Sequence, residues 1–113
     1  MNLSYKIENE VCFINIAGAL TGEEARNQRF SSYIKKRLDS DSLKAIALNL
    51  QETPLIDSFG IGIILLFFKI CKERDVRLVM YQVNKDVNTT FDVARITHLI
   101  PIFDTKEEFV TTL

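Results

Sequence analysis

The residues best suited to chemistry lie at mid-sequence, in the stretch Leu55-Ile56-Asp57-Ser58-Phe59-Gly60-Ile61-Gly62. Ser58 is predicted to cap the helix that follows, a role that Asp57 could also take, because either side chain can accept from the N–H groups of a first helical turn. Such an N-terminus carries roughly +0.5 charge and tolerates a phosphate well. A phosphoryl group on Ser58 would add about −1.5 to −2 charge beside Asp57. Ser58 is therefore the candidate for a charge switch that leaves the fold intact.

Two glycines follow Ser58 within about one helical turn, and capping does not explain them. Gly60 and Gly62 would each cost up to about 1 kcal/mol inside a helix. Their presence indicates either that something packs closely there or that a partner approaches the backbone. Together with Asp57 they form the predicted supporting turn around Ser58.

The apolar segment after Ser58 is predicted to form the central helix of the protein, over 59–74. The helical period divides its side chains into two apolar faces. The face predicted to lie on a sheet holds Ile61, Ile64, Leu65, Phe68 and Cys71. The opposite face is nearly as apolar, which is typical of a helix that is either buried on both sides or meets a partner. In so short a chain we expect a partner protein or a second copy of the chain on that face, which holds Gly62 and the large residues Phe59, Ile63, Leu66 and Ile70.

An enzyme is the first alternative, and the residues do not favour it. Ser58 as a nucleophile needs a base, but the chain has one histidine, His98, far along the sequence, and no G-x-S-x-G elbow. The pair Gly60-x-Gly62 lacks the third glycine of a dinucleotide loop and the lysine of a phosphate loop. One histidine and two separated cysteines, Cys12 and Cys71, make no metal set. We therefore expect neither catalysis, nor a metal, nor a cofactor.

Composition limits the class of partner. The 113 residues suit one domain over 1–113, and 47% of them are apolar, enough for a core. The net charge of −1 shows no basic excess for binding nucleic acid or an anionic membrane. The longest apolar run, 59–68, is far shorter than the ~20 residues that span a bilayer. With no visible signal peptide and two cysteines predicted to be free thiols, the protein is expected to be cytoplasmic, or the soluble part of a larger assembly.

The order of elements predicts an α/β fold. A hairpin over 3–17 precedes a helix that opens with the capping box Thr21-Gly22-Glu23-Glu24 and runs to about Leu38. The continuous apolar run 45–50 is typical of a buried parallel strand. Downstream of the central helix we expect a strand over 77–83, a helix from Asn84 to about Arg95, an edge strand near 99–103 and a C-terminal helix. These elements predict a mostly parallel sheet of four to five strands with an antiparallel N-terminal edge and about four helices.

Nearly the whole chain resembles the STAS domain, and more closely the anti-sigma factor antagonists of bacteria. The Asp-Ser-x-Gly-[Leu/Ile]-Gly turn after a buried strand is the most specific part of the resemblance. The resemblance extends to further segments along the chain: Gly18-Ala19-Leu20, 45–50, Lys69 to Arg74, Arg77-Leu78-Val79, Phe91-Asp92-Val93 and Ile102-Phe103-Asp104. Phe59 stands where the family usually has a small residue and Leu66 where it more often has a polar one. Asp75-Val76 and Arg95 stand where glycines are usual, so the helix before Arg95 is expected to end differently.

The resemblance implies a function. The serine matching Ser58 is phosphorylated in that family by an anti-sigma factor that is also a serine kinase, and a phosphatase resets it. The unphosphorylated antagonist binds the kinase and displaces a sigma factor. On this basis Ser58 is the acceptor, Asp57 its supporting neighbour, Gly60 and Gly62 allow close approach, and the following helix belongs to the interface. The alternative is a STAS module that is not phosphorylated and serves as a scaffold or regulatory subunit of a transport or stress-sensing complex.

Overall fold

The central layer of the protein is a sheet of five strands: β1 Asn2–Glu8, β2 Val11–Ala17, β3 Ala45–Asn49, β4 Arg77–Tyr81 and β5 Ile102–Phe103. They lie in the order β1-β2-β3-β4-β5 in a computed structural model that describes residues 2–22 and 29–113. β1 pairs antiparallel with β2, and the other three pairs are parallel. The predicted mixed sheet with an antiparallel N-terminal edge is confirmed.

Within the described residues the α-helices are α1 Arg29–Ser40, α2 Ser58–Glu73, α3 Lys85–Val93 and α4 Lys106–Val110. A short 3-10 helix, Ile96–His98, follows α3. The predicted capping box at the start of the first helix depends on Glu23 and Glu24, which lie outside the described residues. In the ranges that the structure covers, none of the helices combines the length and the apolar character needed to cross a bilayer.

The core is divided between the two faces of the sheet because side chains alternate along each strand. One face carries α1, α2 and α3, and its core includes Ile14, Leu48, Phe30, Phe67 and Phe91. The other face carries α4, where the core includes Val11, Phe13, Ala47, Val79 and Phe109. The middle strand β3 is buried on both faces, as its continuous apolar run predicted.

The parallel strands place functional candidates at opposite ends of the sheet. The carboxyl ends of β2, β3 and β4 share one edge, and Ser58 and Asn84 follow β3 and β4 at this edge. α3 runs back to the amino edge, so His98 lies there, shortly before β5 begins. The structure therefore separates the only histidine of the sequence from Ser58.

Both cysteines are buried free thiols, as predicted. Burial raises the pKa of Cys12 to about 11 and that of Cys71 to about 12. Since the thiolate is the reactive form, neither side chain is prepared for chemistry at neutral pH.

Two helices end on non-glycine residues in the left-handed conformation. Asp75 has a φ of 56° after α2, and Arg95 has a φ of 61° after α3. At the first of these ends, the Val76 N–H donates to the Cys71 carbonyl oxygen at 2.9 Å, which is the long bond of a Schellman motif. The expectation that the helix before Arg95 ends differently without glycine is wrong. Arg95 itself takes the left-handed conformation that a glycine would take at this position. The packing of the 3-10 helix that follows requires this turn and outweighs a local cost of about 1 kcal/mol.

Replacing Arg95 with glycine should therefore stabilise the protein. Arg95→Gly relieves the left-handed strain, and we expect the free energy of unfolding to rise by roughly 0.5–1 kcal/mol in urea titrations. The matched control is Ala94→Gly, because Ala94 has an ordinary helical φ of −81° and should lose stability on the same change. Equal effects at the two neighbouring positions would contradict the role of the left-handed backbone.

Candidate functional site

The cap of α2 is Asp57, and Ser58 is the first helical residue. Asp57 has an extended backbone, and its Oδ1 accepts from the Gly60 N–H at 3.0 Å. Its carbonyl oxygen accepts from the Ile61 N–H at 2.9 Å, the first intrahelical bond. The prediction that Ser58 caps the helix is therefore wrong, because its backbone is already helical. Ser58 is exposed at the positive end of a 16-residue helix, and its hydroxyl is not needed for the cap.

The Asp57 carboxylate also joins two loops. Its second oxygen, Oδ2, accepts from the Gly22 N–H at 2.8 Å, so one carboxylate ties the segment after β2 to the start of α2. The N–H groups of Gly22 and then Gly60 hold the pKa of Asp57 below its ordinary value of 3.8. The stabilisation is present above the unfolded-state pKa and is lost as the pH falls through the lowered folded-state pKa. At neutral pH the residue beside Ser58 therefore carries a full negative charge.

Gly60 is required by the chain itself. A Cβ at this position would lie 2.1 Å from the Leu20 carbonyl oxygen and 2.6 Å from Cγ1 of Ile56. The Leu20 segment is fixed there, because its N–H donates to the Leu55 carbonyl oxygen at 2.9 Å and Leu20 forms a parallel bridge with Ile56. Of the two predicted reasons for a glycine, close packing within the chain is the correct one at Gly60.

Three further side-chain and backbone bonds hold the loop before Ser58. The buried Thr53 hydroxyl donates to the Ile16 carbonyl oxygen at 2.8 Å, and the Gly18 N–H donates to the Glu52 carbonyl oxygen at 2.8 Å. Asn84 caps α3 as predicted, and its amide nitrogen also donates to the Thr53 carbonyl oxygen at 3.1 Å. Sequence reasoning missed the role of Thr53, since one threonine in a polar loop shows no pattern. The loop is thus fixed from β2 and from α3, which positions Ser58.

The two faces of α2 differ from the predicted division. Ile63 and Ile70, predicted on the outer face, are only 8% and 7% exposed, whereas Leu65, predicted on the sheet, is 38% exposed. The buried stripe consists of Gly60, Ile63, Ile64, Phe67, Ile70 and Cys71. The prediction is wrong by about one residue of rotation, because a helix that is apolar all round has no polar stripe to set its phase. The contact of Gly60 with Leu20 sets the phase instead.

The outer surface of α2 remains apolar after this correction. We define the exposed face as Ser58, Phe59, Gly62, Leu65, Leu66 and Lys69, which share one side of the helix by their spacing. Phe59 is 47% exposed and Leu66 is 38% exposed. Gly62 lies at the centre of this face, and a Cβ there would meet no atom within 4 Å. No contact within the described chain therefore requires a glycine at this position.

Comparison with known proteins finds relatives whose matches cover nearly the whole chain. The sequence model of the STAS domain matches residues 2–109. A protein named anti-sigma F factor antagonist from Paenibacillus polymyxa is 25% identical over 118 residues, and the match covers 100% of this chain and 97% of the relative. The resemblance to the STAS domain and the anti-sigma factor antagonists, inferred from the turn around Ser58 and its surroundings, is confirmed.

Solved structures share the fold at lower identity. A candidate anti-sigma factor antagonist from Thermotoga maritima has a TM-score of 0.87 and 22% identity, covering 97% of this chain and 92% of that one. The phosphorylated form of the Bacillus cell fate determinant SpoIIAA has a TM-score of 0.72 and 15% identity, covering 98% of each chain. A sulfate transporter family protein from Wolinella succinogenes has a TM-score of 0.77 and 17% identity, covering 90% and 83%. These likenesses show the fold, which antagonists and transporter proteins share.

The two glycines of the central turn should respond oppositely to the same change. Gly60→Ala places a methyl group against the Leu20 carbonyl, and we expect a loss of roughly 1–3 kcal/mol in the free energy of unfolding, as for an overpacked core. Gly62→Ala meets open space on a helix surface and should gain up to about 1 kcal/mol. Urea unfolding of the two variants checks this. The described packing of the turn would be wrong if Gly60→Ala left the free energy of unfolding unchanged. It would also be wrong if Gly62→Ala lowered that free energy as much as Gly60→Ala does.

Proposed function

Because the chain belongs to the STAS domain family, we propose that it is an anti-sigma factor antagonist regulated by phosphorylation of Ser58. In this proposal the unphosphorylated protein binds an anti-sigma factor that is also a serine kinase, which releases a sigma factor. The name of the Paenibacillus relative supports the class, and the existence of a phosphorylated SpoIIAA with the same fold is consistent with the switch. These partners would place the protein in the cytoplasm.

One observation carries the proposal: Ser58 is exposed beside an exposed apolar helix face, while a different residue caps the helix. Since Asp57 accepts from Gly60 and Gly22, the Ser58 hydroxyl can be modified without removing a bond that the fold needs. Phe59, Gly62 and Leu66 lie on the same side of α2 as Ser58. A partner that covers this face must also cover the hydroxyl.

The charge of the modified residue explains how binding would be switched. A neutral serine can be buried in an interface, but a phosphoserine brings about −1.5 to −2 charge next to the ionised Asp57. Taking such a group out of water without a positive partner is very unfavourable. Phosphorylation therefore favours dissociation, while the positive end of α2 keeps the phosphate compatible with the folded state.

In this proposal the partner supplies the base for phosphoryl transfer, since neither of the two candidate bases in residues 2–22 and 29–113 that we consider, Asp57 and His98, is placed for that role. As Ser58 Oγ forms its bond to the γ-phosphorus of ATP, the bond from that phosphorus to the leaving ADP oxygen breaks, and the hydroxyl proton must be taken up. The Asp57 carboxylate is ionised, but both of its oxygens already accept hydrogen bonds from backbone N–H groups. His98 lies at the opposite edge of the sheet. The chain thus acts as a substrate, and hydrolysis by a phosphatase would restore the serine.

A second function is consistent with the same surface. The Wolinella structure shows this fold in a sulfate transporter family protein. A STAS module that is never phosphorylated could use the exposed face of α2 as a scaffold or regulatory contact in a transport or stress-sensing complex. The Asp57-Ser58 pair beside that face favours the switch, and the phosphorylation experiment separates the two functions.

Phosphorylation should occur at Ser58 and nowhere else. We expect that incubation with ATP and an anti-sigma factor serine kinase from the same organism adds the mass of one phosphoryl group, measured on the intact protein. Ser58→Ala should abolish the gain, because it removes the acceptor but not the Asp57 cap. Ser42→Ala, a change at another exposed serine, is the matched control and should keep it. No gain with any such kinase, or a gain that survives Ser58→Ala, would refute the switch.

The exposed face should carry the affinity for the kinase. Leu66→Lys is expected to weaken binding of the unphosphorylated protein at least about tenfold, or about 1.4 kcal/mol, because it places a charge in an apolar contact. The matched control is Val93→Lys on α3, since Val93 is more exposed than Leu66 but lies outside that face. Calorimetric titration gives the affinities, and circular dichroism checks that both variants are folded. Equal affinities for the two variants would place the interface elsewhere.

A further inference from the structure

We propose that the open edge of β1 binds an extended segment of a partner protein, through its main chain and through one acidic side chain of that segment. In the described part of the chain β1 stands at the end of the strand order and pairs only with β2. It contains neither a proline nor a bulge. Such an edge presents unpaired main-chain groups to a further strand. The inference does not depend on the proposed phosphorylation, because this edge includes neither Ser58 nor the exposed face of α2.

The hydrogen bonds of β2 show which main-chain groups of β1 face the open edge. The Ile16 carbonyl oxygen accepts from the hydroxyl of Thr53, which follows β3, at 2.8 Å, so Ile16 points away from β1. Because main-chain groups alternate along a strand, the odd-numbered residues of β2 point to β1 instead. Their register partners are the even-numbered residues of β1. The N–H and C=O groups of Leu3, Tyr5 and Ile7 therefore point to the open edge.

The side chains of the same three residues form an apolar row on the face of the sheet that carries α1. Tyr5 is 45% exposed and Ile7 is 38% exposed. The rings of Tyr5 and Tyr33 of α1 contact each other, with their centres 6.1 Å apart, and Leu3 packs against the core on this face. The side chains of an added strand that lie opposite this row point to the same face. Apolar residues are therefore expected opposite Leu3 and Ile7.

Beside Tyr5 lies a buried cation without an anion. Arg37 is only 8% exposed, and its guanidinium carbon lies 4.0 Å from the centre of the Tyr5 ring. Among residues 2–22 and 29–113 it forms no ion pair with a carboxylate, and its Nε has no hydrogen-bond partner. Buried charges are usually paired, and a guanidinium binds a carboxylate strongly. A glutamate opposite Tyr5 would point to the same face, beside the guanidinium, and would supply the anion.

The same groups argue against a second copy of this chain as the occupant. In an antiparallel pair of two β1 strands centred on Tyr5, the side chains added on the α1 face are Leu3, Tyr5 and Ile7, and none of them is an anion. Each copy would also bring its own Arg37 to the centre of the pair, and two such cations without a carboxylate are unfavourable. A different protein, with an acidic residue and apolar residues two places before and after it, matches the edge.

The test is a titration of the 15N-labelled chain with the acetylated and amidated peptide Thr-Val-Thr-Glu-Thr-Val-Thr. Its sequence reads the same in both directions, so the glutamate can lie opposite Tyr5 in either strand orientation. We expect the amides of Leu3, Tyr5 and Ile7 to shift and to become protected from hydrogen exchange, because they donate to the peptide. The even-numbered amides of β1 are bonded to β2 and should be protected already in the free protein. The amides around Ser58 should stay in place.

The charge is tested with a second peptide that has glutamine in place of glutamate. It should bind about tenfold more weakly, because the shape is kept while the charge is lost. Arg37→Gln should remove this preference, so that both peptides bind equally. The matched control is Lys35→Gln, an exposed cation on the same helix, which should keep the preference. If Arg37→Gln does not fold by circular dichroism, the two peptides still test the charge on the unchanged protein.

The main-chain contact is tested at Ile7. Ile7→Pro removes an N–H that points to the open edge and leaves the bonds to β2 intact, and proline is tolerated on an edge strand. We expect it to weaken binding at least about tenfold. Ile7→Thr is the matched control, because it keeps the N–H and a β-branched side chain, and it should lose less affinity than Ile7→Pro.

Several outcomes would overturn the inference. No shift of the β1 amides at millimolar peptide would show that the edge binds no such strand. Equal affinities of the glutamate and glutamine peptides for the unchanged protein would remove the role of Arg37. Shifts of the same amides on raising the protein concentration alone would assign the edge to a second copy. Acetate that produces the same shifts as the peptide would show that Arg37 binds a free anion and not a strand.

Discussion

The approach of the Leu20 carbonyl to the backbone of Gly60 is the contact on which the site depends. The Leu20 oxygen occupies the space that a side chain at residue 60 would need. On its other side Leu20 is held by its bond to Leu55 and by its bridge to Ile56. The loop after β2 and the loop before α2 are therefore joined into one layer, against which the first turn of the helix rests. This contact sets both the position and the rotation of α2.

The rotation of α2 separates two roles that adjacent residues could otherwise share. Asp57 faces the backbone N–H groups of Gly22 and Gly60, and both of its carboxylate oxygens accept hydrogen bonds from them. Ser58 begins the helix and faces outward, on the side that also holds Phe59, Gly62 and Leu66. In the proposed function, the structural role would therefore belong to Asp57 and the signalling role to Ser58. Such a division lets the charge of one residue change greatly while the hydrogen bonds of the turn stay the same.

Gly60 and Gly62 illustrate how one motif combines two physical requirements. The first glycine is needed inside the protein, where a methyl group would collide with a carbonyl oxygen. The second faces open space at the centre of an exposed apolar surface, where the chain itself sets no requirement. By helical spacing, Gly62 lies between Leu65 on one side and Phe59 and Leu66 on the other. In the proposed function, a close approach by another protein would account for a glycine at this position.

Local periodicity and turn chemistry were enough to predict the order of strands and helices, the antiparallel first strand, the buried β3 and the turn around Ser58. They also assigned Asn84 as a cap. Two features depend on tertiary contacts instead: which of Asp57 and Ser58 caps α2, and which side of α2 is buried. The second explains why Ile63 and Ile70 lie in the core and not on the predicted outer face. When a helix is apolar on all sides, its sequence has no polar stripe that shows which side is exposed. The rotation of α2 came from the Leu20 carbonyl, forty residues before Gly60 in the chain, and no local pattern predicts such a contact.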